Sequence, residues 1–337
     1  MNRFFPGEFS IPFFSAVLQP LLCPVEKLLI ATRSSPLAMW QAEAVATALE
    51  NAGFQTELLP LETKGDKKLE VSLAKIGEKG LFTAELEELL LHGKAHLAVH
   101  SAKDMPSQLP DGLEIIALTE RENPADVLVS FRPDIRLSEP GIRVGTSSTR
   151  RTATLARYFP QAVPVAVRGN LQTRFRKMQE GHCDAMILAR AGVVRMQLGE
   201  FIRESLKTDV FTPAAGQASL AVEVSATLDD QLKEAIRSAL NHPLSEACIL
   251  AERAFLRKME GGCSIPVFAL CRPDNGQNYI LEAGIISSDG RLEVRKLLHF
   301  SAEEGLAEDV FKAAGETLAE DVLKSGGSGI LEGIKAG

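Results

Sequence analysis

The chain has 337 residues and a mass of 36.5 kDa, more than one average domain needs and enough for two or three. Lys and Arg number 37 against 44 Asp and Glu, a net charge of −7 that argues against a general binder of nucleic acid or anionic membranes. No apolar run is long enough to span a bilayer, and one Trp with two Tyr leaves little for base stacking.

Residues 1–27 are rich in Phe and Pro, and Pro6, Pro12, Pro20 and Pro24 break any helix there. A signal peptide needs a cleaner apolar stretch, so the segment reads as a disordered extension or a misplaced start. From Lys27 onward, apolar β-type runs alternate with helical periodicity, the pattern of an α/β fold. Residues 28–31 read as a buried strand, and Thr32-Arg33-Ser34-Ser35-Pro36 as the turn into an amphipathic helix over 37–51. Serine before proline predicts a capped start, the hydroxyl accepting an otherwise unpaired N–H. A strand over 54–61 follows. Residues 63–80, with Lys64, Lys67, Lys68, Lys75 and Lys79 among Gly65, Gly77 and Gly80, suit either a mobile lid or a solvated loop.

Further strands are predicted at 95–99, 126–130, 142–144, 163–167 and 185–188. Around 142–167 the first unit recurs as strand, Gly145-Thr146-Ser147-Ser148 turn, helix over 149–158 and strand. Two such units predict two similar α/β domains facing one cleft. Each turn offers hydroxyls and N–H groups at a helix start, where an anion is favoured; two well-capped helices are the plainer reading of the same residues. After Asn241 come a helix over 243–259 stopped by Gly261-Gly262, strands over 265–271, 279–286 and 292–300, and a last helix over 302–324. That order predicts a small antiparallel α+β domain whose glycine-rich tail should fray.

Charge is the most telling feature. Between residues 141 and 177 stand Arg143, Arg150, Arg151, Arg157, Arg168, Arg174, Arg176 and Lys177 with no acid among them, and Arg190 and Arg195 follow. The guanidinium fork matches carboxylate or phosphate, so the cluster implies a small ligand with several anionic groups, a solvated basic face being the bland alternative. Asp104 lies past the end of a predicted strand, next to Lys103 and near His100, where open α/β sheets place their ligands. One acid among many cations suits stabilising a cationic intermediate or moving a proton, although a lone Asp is commonly a turn residue.

Cys263 follows two glycines and precedes Pro266, which puts an accessible thiol on a loop; Cys183, Cys248 and Cys271 read as small apolar residues. With no CxxC pair, reduced thiols in a cytosolic protein are expected, and neither a disulfide framework nor a structural zinc. His92, His96 and His100 are spaced four apart, but Gly93 and the β-like run after it argue against one metal-binding helix face. No phosphate loop or GxGxxG motif supports nucleotide binding.

Together these motifs resemble the porphobilinogen deaminase family. The matching segments are Ile30-Ala31-Thr32-Arg33-Ser34-Ser35-Pro36-Leu37-Ala38, Lys79-Gly80-Leu81-Phe82, His100-Ser101-Ala102-Lys103-Asp104-Met105-Pro106, Gly145 to Arg151, Arg168-Gly169-Asn170, Pro213-Ala214-Ala215-Gly216-Gln217, Ala251-Glu252-Arg253 and Glu260-Gly261-Gly262-Cys263-Ser264-Ile265-Pro266, all in family order. The resemblance implies two α/β domains like type II periplasmic binding proteins and a small C-terminal α+β domain with a three-stranded antiparallel sheet. The domains are placed at 28–119 with 219–240, at 120–218 and at 241–337.

It further implies a transferase that joins four porphobilinogen molecules head to tail on a dipyrromethane cofactor, losing ammonia each time, and releases hydroxymethylbilane for porphyrin synthesis. The cofactor would hang from Cys263 by a thioether, bound also by Ser35, Ser101, Lys103, Asp104, Thr146, Ser147, Ser148, Arg150, Arg151, Arg168 and Gly169. Asp104 matches the catalytic acid, with Lys103, Arg33 and Lys79 beside it. Arg33, Gln41, Phe82, Arg168, Arg174, Arg195 and Gln217 would hold substrate. A cytoplasmic monomer without metal, nucleic acid or membrane is implied. Two departures stand out: Ala218 where the family pattern suggests glycine, and Arg190 at a commonly apolar position. The rival reading is a non-catalytic binding protein for a small carboxylate.

Overall fold

A computed structural model describes residues 27–62, 83–260, 265–302 and 305–336. Residues 1–26, the predicted lid with Lys79 and Phe82, and Cys263 lie outside the described residues.

In chain order, β1 (Leu28–Arg33), α1 (Pro36–Asn51), β2 (Thr56–Leu61), α2 (Ala84–Leu91), β3 (Leu97–Ser101) and β4 (Leu113–Leu118) build a first lobe. Then β5 (Asp126–Val129), β6 (Arg143–Gly145), α3 (Thr149–Tyr158), β7 (Val163–Val165), α4 (Leu171–Gln179), β8 (Ala185–Ala189), α5 (Arg190–Arg195) and β9 (Ile202–Ser205) build a second. The chain returns through β10 (Leu220–Ser225) and α6 (Asp230–Leu240) to the first sheet, and a third unit follows: α7 (Pro243–Lys258), β11 (Val267–Pro273), β12 (Asn278–Ile286), β13 (Glu293–Ser301), α8 (Glu308–Val322) and α9 (Ser328–Ala336).

The first two sheets share one plan, with strand orders β2-β1-β3-β10-β4 and β7-β6-β8-β5-β9. In each, three parallel strands are followed by an antiparallel one delivered from the other lobe. An antiparallel strand begins where its parallel neighbours end. Leu220 therefore pairs with Ser101, and Asp126 with Ala189, so both crossings between lobes pass the strand ends that face the cleft. The third sheet, β11-β12-β13, is antiparallel throughout.

Apolar runs form these strands because helices cover both faces. On the first sheet, Ala42, Val45 and Leu49 of α1 with Leu232 and Ile236 of α6 pack on Ile30 and Val222, while Leu86 and Leu90 of α2 cover Ala31 and Ala98. Each fully buried Leu or Ile of this kind contributes roughly 1.5–3 kcal/mol. The third unit is centred on Phe255, Phe311 and Tyr279, whose ring lies 4.8 Å from that of Phe311.

Several sequence expectations change. Ser35 is the N-cap of α1, yet its hydroxyl makes no capping bond, whereas Ser148 and Asn170 accept from the N–H groups of Arg151 and Thr173. The strand predicted to reach 167 ends at Val165, and the one predicted over 265–271 runs from Val267 to Pro273. The final helix begins at Glu308, because Ala302 still follows β13 as a buried residue. The tail predicted to fray instead forms α9: Gly326, at φ 109°, turns the chain, and Ile330 and Leu331 bury themselves in the third core. No described helix is long and apolar enough to cross a membrane.

Candidate active site

β3 runs out into a short helical turn over 102–104, leaving Asp104 exposed and Lys103 partly buried. Behind it, the buried Gln41 of α1 donates to Ser101 Oγ at 2.9 Å, and Arg33 ends the neighbouring strand with Ser35 opening α1. The second crossing leans on this turn: a Cβ at Gly216, which sits at φ +73°, would lie 3.0 Å from the Ala102 carbonyl carbon and 3.2 Å from Lys103 N. Only glycine meets both demands.

In the second lobe, β6 ends at Gly145, where a Cβ would strike Cys183 Sγ at 2.8 Å. Thr146 is buried and accepts from Ser148 N at 3.2 Å, and Ser147 Oγ donates to the Val167 carbonyl at 3.0 Å. Gly169, at φ +117°, lies against Thr173, and its carbonyl accepts from Arg174 Nε at 2.7 Å. A cavity of about 330 Å³ joins Thr146, Ser147, Thr149, Thr152 and Arg168 to Pro266 and Ser288 of the third unit. A hollow that holds an arginine and several hydroxyls beside Pro164, Val165 and Ala166 fits a group bearing carboxylates on an apolar frame.

Between the lobes lies a charge cluster that sequence reading missed. Asp126 is fully buried at the head of β5. Its Oδ1 accepts from Arg151 Nη2 at 2.7 Å and Gln217 Nε2 at 2.9 Å, and its Oδ2 from Arg150 Nη2 at 2.8 Å and Arg151 Nε at 3.1 Å. Burial alone would raise this carboxyl, but the two guanidinium groups outweigh it and hold Asp126 well below the usual range. Gln217 passes the connection on, its Oε1 accepting from Lys103 Nζ at 3.3 Å.

Burial, with help from Arg151 and Arg150 and against Asp104 and Asp126, pushes the Lys103 ammonium down to about 8. Burial and Arg151 likewise bring Arg174 to about 10, opposed by Asp104. Asp104, Lys103, Arg150, Arg151, Arg168, Arg174 and Gln217 thus stand within electrostatic or hydrogen-bond reach of one another. Arg150 and Arg151 do so as buried partners of Asp126, not as free cations. Arg195 is also engaged, donating to Glu122 Oε1 at 2.7 Å and the Ala218 carbonyl at 3.1 Å, and lying 5.4 Å from the ring centre of Trp40 across the gap. Arg190 opens α5, its N–H donating to the Ala125 carbonyl.

A second overlooked carboxylate, Glu252 of α7, is fully buried and accepts from Arg121, from Gly216 N at 2.8 Å and from Cys271 N at 2.8 Å. It fastens both crossings to the third sheet. Ala218, on the second crossing, adopts φ 80°, the left-handed region that favours glycine. His92 falls on the C-cap of α2, His96 in the loop before β3, where its Nδ1 accepts from Leu29 N, and His100 on β3 itself. Among the described residues no cluster is arranged to hold a metal.

Comparison with known proteins adds to this geometry. The family model described as porphobilinogen deaminase, dipyromethane cofactor binding domain, matches residues 28–234, and that of the porphobilinogen deaminase C-terminal domain matches 246–320. Porphobilinogen deaminase of Desulfosudis oleivorans is 52% identical over 264 residues, 78% of this chain and 85% of its own. That of Cytophaga hutchinsonii is 51% identical, covering 82% of this chain and 88% of its own. Among solved structures, a BvgS VFT2 domain of Bordetella pertussis aligns at a TM-score of 0.40 and 16% identity over 64% of this chain and 86% of that one.

Proposed function

The chain belongs to the porphobilinogen deaminase family, and on that premise we propose that it condenses four porphobilinogen molecules head to tail, releases ammonia at each addition and frees hydroxymethylbilane by hydrolysis. It is a transferase of tetrapyrrole synthesis. The observation that supports the reading is the path from Lys103 through Gln217 to the Asp126–Arg150–Arg151 cluster, beside the exposed carboxylate of Asp104.

Porphobilinogen brings an acetate, a propionate and an aminomethyl group. Lys103, Arg168, Arg174 and Arg33 supply cations for the carboxylates. Asp104 accepts from the pyrrole N–H and stabilises the positive charge that develops as ammonia departs. Arg150 and Arg151, locked on Asp126, orient Lys103 through Gln217 and lend positive potential from beneath; Arg195 braces the crossing at Ala218. Thr146, Ser147, Ser148 and Gly169 line the second-lobe side of the site, Ser35, Ser101 and Gln41 the first. Dipyrromethane, when bound through Cys263, supplies the primer to which the first substrate ring is joined. Lys79 and Phe82 are assigned to the same cleft on the resemblance alone. The reading further has the enzyme working as a cytoplasmic monomer without nucleic acid, in keeping with its net negative charge.

Intact-mass spectrometry of the purified chain tests this: a covalent two-pyrrole adduct lost in Cys263→Ser is expected, and an unmodified mass after incubation with porphobilinogen would refute it. Asp104→Ala should keep the adduct and lose at least about a hundredfold in tetrapyrrole formation.

A further inference from the structure

The face of the first sheet beneath α2 carries three polar side chains where apolar packing is the rule. His100 of β3, Glu223 of β10 and Glu87 of α2 are 6%, 0% and 7% exposed. His100 Nε2 lies 3.0 Å from Glu223 Oε2. Yet among the described residues neither Glu223 oxygen nor Glu87 Oε1 has a well-formed hydrogen bond. Burying a carboxylate without donors is costly, and the sheet tolerates it directly behind the Lys103–Asp104 turn.

A second observation says what the charge does there. His100, near the end of β3, precedes Asp104 of the following turn by four residues. On the far side of Asp104, the Pro106 carbonyl accepts from Arg253 Nη2 at 2.7 Å. Arg253 comes from α7, is 9% exposed, and burial and Arg257 bring its guanidinium down to about 10, opposed by Glu223. Its helix packs on the face of β10 that carries Glu223, Ile249 clustering with Ala221 two residues away. Glu223 thus meets the segment 100–106 at His100 and shares a sheet face with the helix that holds its other end.

We propose that Glu223 is a positioning residue for the reaction: through His100 on one side and the Arg253-bearing helix on the other it holds the Lys103–Asp104 turn in its working geometry. The titratable and charged groups near Glu223 are Glu87 from α2, His100 from β3 and Arg253 from α7; on β4, Glu114 is paired with Lys233 of α6 at 2.7 Å. Burial raises the Glu87 carboxyl, the Thr83 hydroxyl and His100 oppose the rise, and Glu223 adds to it.

The proposal rests on the role given to Asp104 above, so the test pairs kinetics with a readout that needs no turnover. In the holoenzyme, Glu223→Gln should lower kcat about tenfold or more while KM for porphobilinogen stays within about twofold, a split that misplacement of a reacting group produces and loss of folded protein does not. Arg253→Lys should retain most of the kcat that Arg253→Met loses. Hydrogen–deuterium exchange in Glu223→Gln should rise over residues 100–106 and not over β1 or β2. Parental kcat in Glu223→Gln, or protection lost evenly across the first sheet, would overturn the clamp. If the parent enzyme made no hydroxymethylbilane, the functional reading would fall, while the exchange pattern would still decide for or against the clamp.

Discussion

Asp126 at the head of β5 and Glu223 within β10 are both sealed from water, but Asp126 accepts four hydrogen bonds from Arg150, Arg151 and Gln217, whereas among the described residues Glu223 has no well-formed hydrogen bond and its close polar neighbour is the imidazole of His100 at 3.0 Å. The two sit on corresponding antiparallel strands of sheets built to one plan. One is fully satisfied and held ionised by its two guanidinium partners; the other keeps oxygens to spare in a cluster with Glu87. A buried charge with complete partners makes a keystone, and one with incomplete partners makes a lever.

The sharpest way to break that contrast is Asp126→Ala. It strands two buried guanidinium groups and should destabilise the fold by about 3–5 kcal/mol in urea or thermal unfolding. A loss below about 1 kcal/mol would mean the cluster is not a keystone. Because the Asp126 carboxyl is depressed, its contribution is present above its usual value of 3.8 and fades only as pH falls through its much lower native value.

Next is Lys103, the solvent-side end of the same network. Its ammonium, lowered to about 8, loses its charge as pH rises through that value, so KM for porphobilinogen should climb by about tenfold between pH 7 and 9, with kcat less affected. Lys103→Arg should flatten the rise; a flat KM in the parent would remove Lys103 as a carboxylate ligand.

Glu87 tests the lever with the opposite sign. Its carboxyl is raised by burial, so the fold prefers it protonated, and the penalty for ionising it appears as pH climbs above its usual 4.5. Glu87→Gln should thus be more stable than the parent at pH 7, by less than the Asp126 loss, with the gain vanishing in acid. A destabilised Gln variant would show the oxygen to be partnered after all. The smallest effect belongs to Ala218→Gly, which relieves the left-handed strain at φ 80° and should stabilise by about 0.5–1 kcal/mol.

Much of this was legible in advance. Buried parallel strands are continuous apolar runs, so those near 28–31, 95–99, 142–144 and 185–188 announced themselves, and the Ser-rich turns marked the strand ends that face the cleft. What escaped was the company each charge keeps. Reading 141–177 as acid-free counted neighbours along the chain, while the balancing Asp126 lies 24 and 25 residues from Arg150 and Arg151. A signal was available: Asp126-Val127-Leu128-Val129 and Leu220-Ala221-Val222-Glu223 each place an acid inside a run that is buried on both faces, where a charge needs an answer from elsewhere. The misread tail held a similar hint, since Ile330, Leu331 and Ile334 repeat at helical spacing between the glycines that drew attention away.

Trp40 gives the molecule an optical voice of its own. It is the sole indole in the chain, partly open to solvent on α1, and the guanidinium of Arg195 rests 5.4 Å from its ring centre on the opposite lobe. An indole on one lobe in contact with a cation on the other is therefore a built-in fluorophore placed to report on the separation of the two lobes without any attached dye.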